Sequence, residues 1–446
     1  MIDRLARIVG AAHVSTDPDV LATRSVDWTG RYRGTAAALV RPGNAGEVAA
    51  VLRACRDAGA PVTVQGGRTS LVAGTVPEHD DVLLSTERLT DVGEVDQAGR
   101  TLTAASGVTL AAAQRMAAAA GLRIGVDLAA RESATIGGMA STNAGGLRTV
   151  RYGDMAEQVL GLQVALPDGS LLRRHARVRC DNTGYDLTRL FVGAEGTLGV
   201  ITEVELRLHR IPAHRIVALC GFADLPSLLT AARRLSDLET VAALELVDGG
   251  AAALGAERLN LEVPVTGTWL LLVELAGDTD QGDLLAASLD GAALTGEPAV
   301  GLDTAGMQRL WQVRESLAEV VGLFGPPLKF DVALPVPAVA AFAARAAALT
   351  ARVAPSARAV LFGHIGEGNL HLNLLGCSAD EEAAIYPEMM ALIAAHDGNV
   401  SSEHGVGSRK RAYLSMSREP TDIAVMRSIK AALDPTGFLN PAVLFD

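Results

Sequence analysis

Three of the nine histidines stand in two short stretches near the C-terminus, GHIGEGNLHLNL (363–374) and SSEHGVGSRK (401–410), the third directly after a glutamate. Apolar and polar residues alternate through Leu370, His371, Leu372, Asn373 and Leu374, the period of a half-buried strand. Residues 358–365 read as its partner strand, and Gly366, Glu367, Gly368 and Asn369 as a four-residue hairpin loop. Folding about that loop predicts that His364 lies directly opposite His371, with β-carbons about 5 Å apart. Two imidazoles so placed share one metal ion, and Asn373 on the same face adds a hydrogen bond. Glu403 is the candidate third ligand: two histidines and a carboxylate leave positions open on zinc or another divalent ion. His404 then stands beside the metal as candidate base. A strand histidine or a glycine turn is ordinary taken singly; what points to chemistry is their concentration in a chain otherwise poor in histidine.

Strand, helix and strand patterns surround these stretches. Residues 36–40 read as a strand ending at Pro42. A helix follows, with Asn44 as N-cap, Glu47 three residues on, and Val48, Val51, Leu52 and Cys55 as its buried stripe before Gly59 stops it. The strand at 61–65 completes a β-α-β unit and exits through Gly66, Gly67, Arg68, Thr69 and Ser70, a turn whose amides suit a phosphate. A strand at 82–85 and a helix from Thr109 to Gly121 come next. Residues 125–155 have little helix or strand character; their two glycine pairs, with Ser, Thr and Asn between, suit close backbone approach to a bulky planar ligand. Residues 183–208 run from a helix into a strand. No GxGxxG lies between a strand and a helix, which argues against a nicotinamide-binding domain.

In the C-terminal half, residues 328–402 read strand, helix, strand, strand, helix, strand, a split β-α-β, ferredoxin-like unit with an antiparallel sheet. Residues 216–300 read the same way, and the segment after Arg411 folds back onto the first domain. The net charge of −12 argues against nucleic acid or an anionic membrane surface as partner. Cys55, Cys180, Cys220 and Cys377 form no CxxC pair and read as buried thiols in a reducing compartment. The N-terminus lacks a basic flank before a long apolar run, and no stretch reads as long enough to span a membrane, so a soluble cytoplasmic protein is expected.

QGGRTSLVAG, ATIGGMASTNAGG, VRYGDM, GYDLTRLFVGAEGTLGVITEV, GHIGEGNLHLNL, SSEHGVG and LDPTGFLNP, in this order along nearly the whole chain, resemble the FAD-linked D-2-hydroxy acid dehydrogenases. These are flavoproteins of the vanillyl-alcohol-oxidase type, with D-2-hydroxyglutarate, D-lactate and glycolate-oxidase-subunit members. The resemblance implies an α+β fold: a two-part FAD-binding domain at 1–210, a ferredoxin-like substrate and metal domain at 211–410, and a C-terminal segment at 411–446 packing back on the first. It implies FAD pyrophosphate against Gly66, Gly67, Arg68, Thr69 and Ser70, and flavin lined by Thr135, Gly137, Gly138, Ser141, Asn143 and Gly145. Val200 and Ile201 add backbone contacts and Asn440 returns to the same cofactor. Gln65, Gly66, Gly67 and Arg68 stand where some relatives carry a flavin-linking histidine, which implies non-covalent FAD.

Oxidising a 2-hydroxy acid requires removal of the hydroxyl proton and departure of hydride from the same carbon toward the flavin. The resemblance supports metal ligation by His364, His371 and Glu403 and proton abstraction by His404. It places Arg314, Lys329 and Asn373 on the substrate, the first two at positions that hold dicarboxylates in relatives. Ala318 stands where such relatives carry a hydroxyl, which leaves D-lactate or glycolate as the rival substrate. A flavin-dependent ether-lipid synthase and a subunit of a larger complex are further readings. The electron acceptor is an electron-transfer flavoprotein, a quinone or a cytochrome, the metal zinc, manganese, iron or cobalt, and the family implies a homodimer.

Overall fold

The computed structural model describes residues 1–175 and 181–445; Cys180 lies outside them. The chain divides into two compact units, unit 1 of Met1–Gly145, Tyr152–Ile211 and Glu403–Asp446, and unit 2 of Gly146–Arg151 and Pro212–Ser402. Residues 403–410, read from sequence as part of the second domain, thus belong to unit 1, and 146–151 to unit 2.

Unit 1 holds two sheets. Strands β1 (Val14–Ser15), β2 (Ala36–Val40), β3 (Val62–Gln65) and β4 (Asp81–Ser85) form the first, in the order β1-β2-β4-β3. β2 and β3 both run parallel to β4, which separates them. The helix between them, Ala45–Asp57, begins where the sequence indicates: Asn44 Oδ1 accepts the Glu47 amide at 2.9 Å, and Glu47 Oε2 accepts the Gly43 amide at 2.7 Å. Val48, Val51, Leu52 and Cys55 on its inner stripe are buried, each stabilising the fold by about 1.5–3 kcal/mol if the usual apolar transfer scale holds.

The second sheet comprises β5 (Thr101–Ala105), β6 (Leu122–Ile124), β7 (Val159–Ala165), β8 (Leu171–Arg174) and β9 (Val200–Arg210), ordered β5-β9-β7-β8 with β6 also on β9. The stretch 125–155, read as lacking regular structure, contains a helix, Ile136–Thr142, capped by Thr135, whose Oγ1 accepts the Gly138 amide at 3.3 Å. Gly137 and Gly138 give this segment low intrinsic helix propensity; burial of Ile136, Met139 and Ala140 overrides it. The C-terminal segment is stitched into the same unit. Asn440 donates its amide to Val62 O at 2.7 Å, and Lys430 Nζ bonds Thr197 O and Leu439 O at 2.8 Å each.

Unit 2 is built on one antiparallel sheet of β10 (His214–Phe222), β11 (Val241–Asp248), β12 (Trp269–Gly277), β13 (Ala299–Gly301), β14 (Leu328–Ala333), β15 (Arg358–His364) and β16 (Asn369–Leu375). Their order is β13-β10-β12-β11-β15-β16-β14. The first four strands carry the ferredoxin-like arrangement, and the last three repeat it with β11 and β15 as the seam. The repeat is incomplete: GNVSS forms no strand and meets β14 through the Asn399–Ala333 pair and the Ser402 amide on Asp331. Helix Thr304–Glu315 covers the sheet, burying Met307, Leu310, Trp311 and Val313 against Val217, Leu219, Leu270 and Leu272.

One stretch departs from the expectation that nothing is long enough to span a membrane: Val336–Val353 is sufficiently long and apolar, with a mean hydropathy of 1.3. Its Val339, Phe342, Ala346 and Leu349 are buried within unit 2, the pattern of a helix packed along one face.

Candidate active site

In unit 1 the two glycine turns pack against each other in the wall of a cleft. A β-carbon on Gly67 would lie 2.0 Å from Ser133 O, and one on Gly137 would lie 2.2 Å from Ser106 Cβ. Neither position tolerates a side chain, so backbone packs on backbone here. The cleft has about 600 Å³ of open volume. Of the residues expected at FAD, Gly66, Ser70, Gly137, Gly138, Ser141, Val200, Ile201 and Asn440 line it. So do Thr86, Ser106, Glu195 and Gly196, which sequence reading missed: Thr86 and Ser106 follow strand ends without any motif, whereas Glu195 sits in GAEGTLG, a motif noticed but given no role.

The other expected cofactor residues serve the frame around the cleft. Gly67 packs on Ser133, and Arg68 donates from Nη1 to Thr23 O at 2.9 Å. Thr69 and Gly145 are not among the lining residues. Thr135 caps the helix, and Asn143 closes it in a left-handed conformation, φ 50°. The Asn143 side chain is committed to its own unit, donating to Asp154 Oδ2 at 2.7 Å and accepting the Ala156 amide at 2.7 Å. The cleft suits FAD on its own chemistry. Small Gly, Ser and Thr residues let a large planar group approach backbone, and the buried Ser106 hydroxyl has no protein partner, leaving a donor for a ligand.

Glu195 links this cleft to the Glu403-His404 stretch. It stands at φ 50°, and its carboxylate accepts the amides of Val406 and Gly407 at 2.8 Å each. Burial pushes its pKa above the usual carboxylate range, against the pull of those two amides and Lys410. The residues immediately after His404 are thereby fixed from within unit 1. Asn440 spans the same corner, accepting the Val64 amide at 2.8 Å and donating to Glu195 O at 2.7 Å.

In unit 2 the predicted metal ligands His364 and His371 and the substrate residues Asn373 and Lys329 share one face of the sheet, Arg314 reaches them from helix Thr304–Glu315, and Glu403 and His404 belong to unit 1. The hairpin register pairs His364 with Asn369, and His371 with Phe362, correcting the expectation that the two histidines are directly opposed. The β15 strand ends at His364, so Ile365 joins the turn and the pairing moves by two residues; an even shift leaves the face unchanged. The histidine rings meet edge to face with centroids 5.4 Å apart. Asn373 lies two residues along, opposite Lys329 on β14.

Two carboxylates that sequence reading missed flank this pair. Glu245 on β11 is directly opposite His364, with its Oε1 2.7 Å from His364 Nδ1, and its Oε2 accepts Arg314 Nε at 2.6 Å. Burial pushes Glu245 upward, but the neighbouring His364 and Arg314 outweigh it and hold the carboxyl below its usual range. Asp331 on β14 is opposite His371, with its Oδ1 3.8 Å from Nδ1, and its Oδ2 accepts the Ser402 amide at 3.0 Å. Arg314 is buried, and its guanidinium lies over the Phe362 ring, 4.8 Å from the centroid. Imidazoles with carboxylates behind them fit a divalent ion.

Comparison with known proteins agrees with this architecture. Residues 36–174 match the FAD binding domain, and residues 211–444 match the FAD linked oxidases, C-terminal domain. D-2-hydroxyglutarate dehydrogenase, mitochondrial, of Danio rerio is 36% identical over 96% of this chain and 81% of its own length. D-2-hydroxyglutarate dehydrogenase of Stutzerimonas stutzeri is 32% identical over 100% of this chain and 98% of its own. Among solved structures, p-cresol methylhydroxylase superposes with a TM-score of 0.82 at 16% identity, covering 100% of this chain and 96% of that one, a likeness of fold alone. The names overturn the cytoplasmic expectation. The zebrafish relative is mitochondrial and a bacterial relative exists beside it, so the character of the first residues assigns no compartment. By two domain matches and relatives alike from end to end, the chain belongs to the FAD-linked D-2-hydroxy acid dehydrogenases, flavoenzymes on the vanillyl-alcohol-oxidase type of fold.

Proposed function

We propose that the protein oxidises a D-2-hydroxy acid, D-2-hydroxyglutarate or a similar small acid, to its 2-oxo acid, using non-covalent FAD and a divalent metal, zinc in the first instance. The observation that carries this reading is the shared sheet face: His364, His371, Asn373 and Lys329 point from it together, with Arg314 held behind His364 on Glu245. The relatives' names supply the substrate.

The cleft of unit 1 holds FAD, with Gly66, Gly67, Arg68, Thr69 and Ser70 at the pyrophosphate and Thr135, Gly137, Gly138, Ser141, Asn143, Gly145, Val200, Ile201 and Asn440 around the flavin. FAD held there would supply the two-electron acceptor for the substrate's hydride. His364, His371 and Glu403 would hold the metal, which would supply Lewis acidity toward the substrate's hydroxyl and carboxylate. His404 receives the hydroxyl proton on an imidazole nitrogen. Lys329 and Asn373 orient the carboxylate beside the hydroxyl. Arg314, with Nε engaged by Glu245, keeps its two Nη groups for a bidentate grip on the distal carboxylate.

Ala318, without a hydroxyl to assist Arg314, favours a second reading in which D-lactate or glycolate is the substrate. Anaerobic titration separates them. Bleaching of the visible flavin band by D-2-hydroxyglutarate and not its L-form, abolished by chelation, supports the first reading. Bleaching by D-lactate alone supports the second, and no bleaching by any small 2-hydroxy acid in metal-replete protein rejects both.

A further inference from the structure

The structure assigns Glu245 as the positioning residue that fixes which nitrogen of His364 faces the metal, an inference resting on the metal reading above. Glu245 is 1% exposed and directly opposite His364 across the β11–β15 seam. Its two oxygens are divided between two partners: Oε1 lies 2.7 Å from His364 Nδ1 and Oε2 accepts Arg314 Nε at 2.6 Å. A carboxylate with a guanidinium on one oxygen only accepts at the other, so the proton it meets on His364 belongs to Nδ1. In the neutral imidazole, the form that binds a metal, Nε2 is then the bare nitrogen, on the ring position away from the Glu245 contact.

Second partners of this kind set the tautomer and ring direction of metal-binding histidines. The corresponding pair across β14 and β16 is looser: Asp331 Oδ1 is 3.8 Å from His371 Nδ1, beyond hydrogen-bond length. Glu245 comes from the first ferredoxin-like repeat and His364 from the second, so the seam between the repeats sets the ligand. The same carboxylate seats Arg314, which places the substrate arginine and the metal-binding histidine on one anchor.

Glu245→Gln tests this without changing shape. Its amide oxygen still accepts Arg314 Nε, but its NH2 then faces Nδ1 and draws the histidine proton to Nε2, the nitrogen meant for the metal. The expected result is zinc affinity about tenfold to hundredfold weaker by chelator competition, with FAD content in the wild-type range. In zinc-replete wild-type protein labelled with 15N-histidine, the His364 signals, assigned by their loss in His364→Gln, are expected to show a proton on Nδ1 and zinc on Nε2. Zinc held equally tightly by Glu245→Gln, or zinc on Nδ1 of the wild type, overturns the role of Glu245 while leaving the metal reading intact. Wild-type protein that retains no zinc overturns both. Should Glu245→Gln fail to fold, the wild-type spectrum decides alone.

Discussion

His364 and His371 lie diagonally on adjacent strands, rings edge to face with centroids 5.4 Å apart, each with an acidic residue opposite it on the next strand outward. The row Glu245, His364, His371, Asp331 crosses four neighbouring strands on one face of a single sheet. A backbone so extensively paired fixes the spacing of the two histidines' Cα atoms.

The first prediction concerns this pair. Replacing His364 or His371 by Ala should lower turnover about a thousandfold or more, the effect of losing several kcal/mol of Lewis-acid stabilisation. FAD absorbance should stay at the wild-type ratio. Full activity in either variant after exhaustive chelation would show that the histidines hold no catalytic metal.

Arg314→Lys keeps a positive charge near Glu245 and removes the planar fork. The Michaelis constant for D-2-hydroxyglutarate should rise about tenfold or more, the scale of one charge-assisted hydrogen bond, with a smaller rise for D-lactate. Steady-state kinetics on both substrates decide it, and equal rises would mean that Arg314 does not read a distal carboxylate.

Gly137→Ala should empty the unit 1 cleft, because the added carbon would overlap Ser106 Cβ at 2.2 Å. The cost of overpacking is about 1–3 kcal/mol, expected as a lower flavin content and a fall in Tm. A variant that purifies with full FAD and unchanged Tm would show that this close approach is dispensable.

The fourth prediction is a pH effect within unit 2. Glu274 accepts Arg148 Nη2 at 3.1 Å, Arg215 Nε at 3.0 Å and Trp311 Nε1 at 2.9 Å. Burial pushes its carboxyl upward, but Arg148 and Arg215 prevail and bring it to about 2, from an ordinary value of 4.5. A depressed folded pKa stabilises above the unfolded value and is lost as pH falls through the folded one, so this contribution, on the order of 3 kcal/mol, is complete above about pH 4.5 and fades toward pH 2. Glu274→Gln should therefore show a shallower decline of Tm from pH 5 to 3 than wild type, and parallel declines would contradict the assignment.

Elements set by neighbouring residues were legible from sequence. Asn44 and Glu47 announce the start of their helix because the cap bonds span three residues, and alternation places His371 and Asn373 on one face because a strand has period two. The hairpin register escaped by two residues, since Ile365 alternates like a strand residue but its amide bonds Leu244 O on the neighbouring β11. The helix at Ile136–Thr142 escaped because glycine masks it locally and burial alone stabilises it.

The sequence by itself determined the family, the FAD-binding motifs and the face that carries His364, His371 and Asn373, all matters of local order along the chain. Only the tertiary structure decided which carboxylates stand behind them. Glu245 is 119 residues from His364, and Glu195 is 211 residues from Val406. Neither carries a mark of its role, because a buried carboxylate is defined by the partners that desolvation forces it to find, and those partners are brought to it by strand pairing and packing between distant segments.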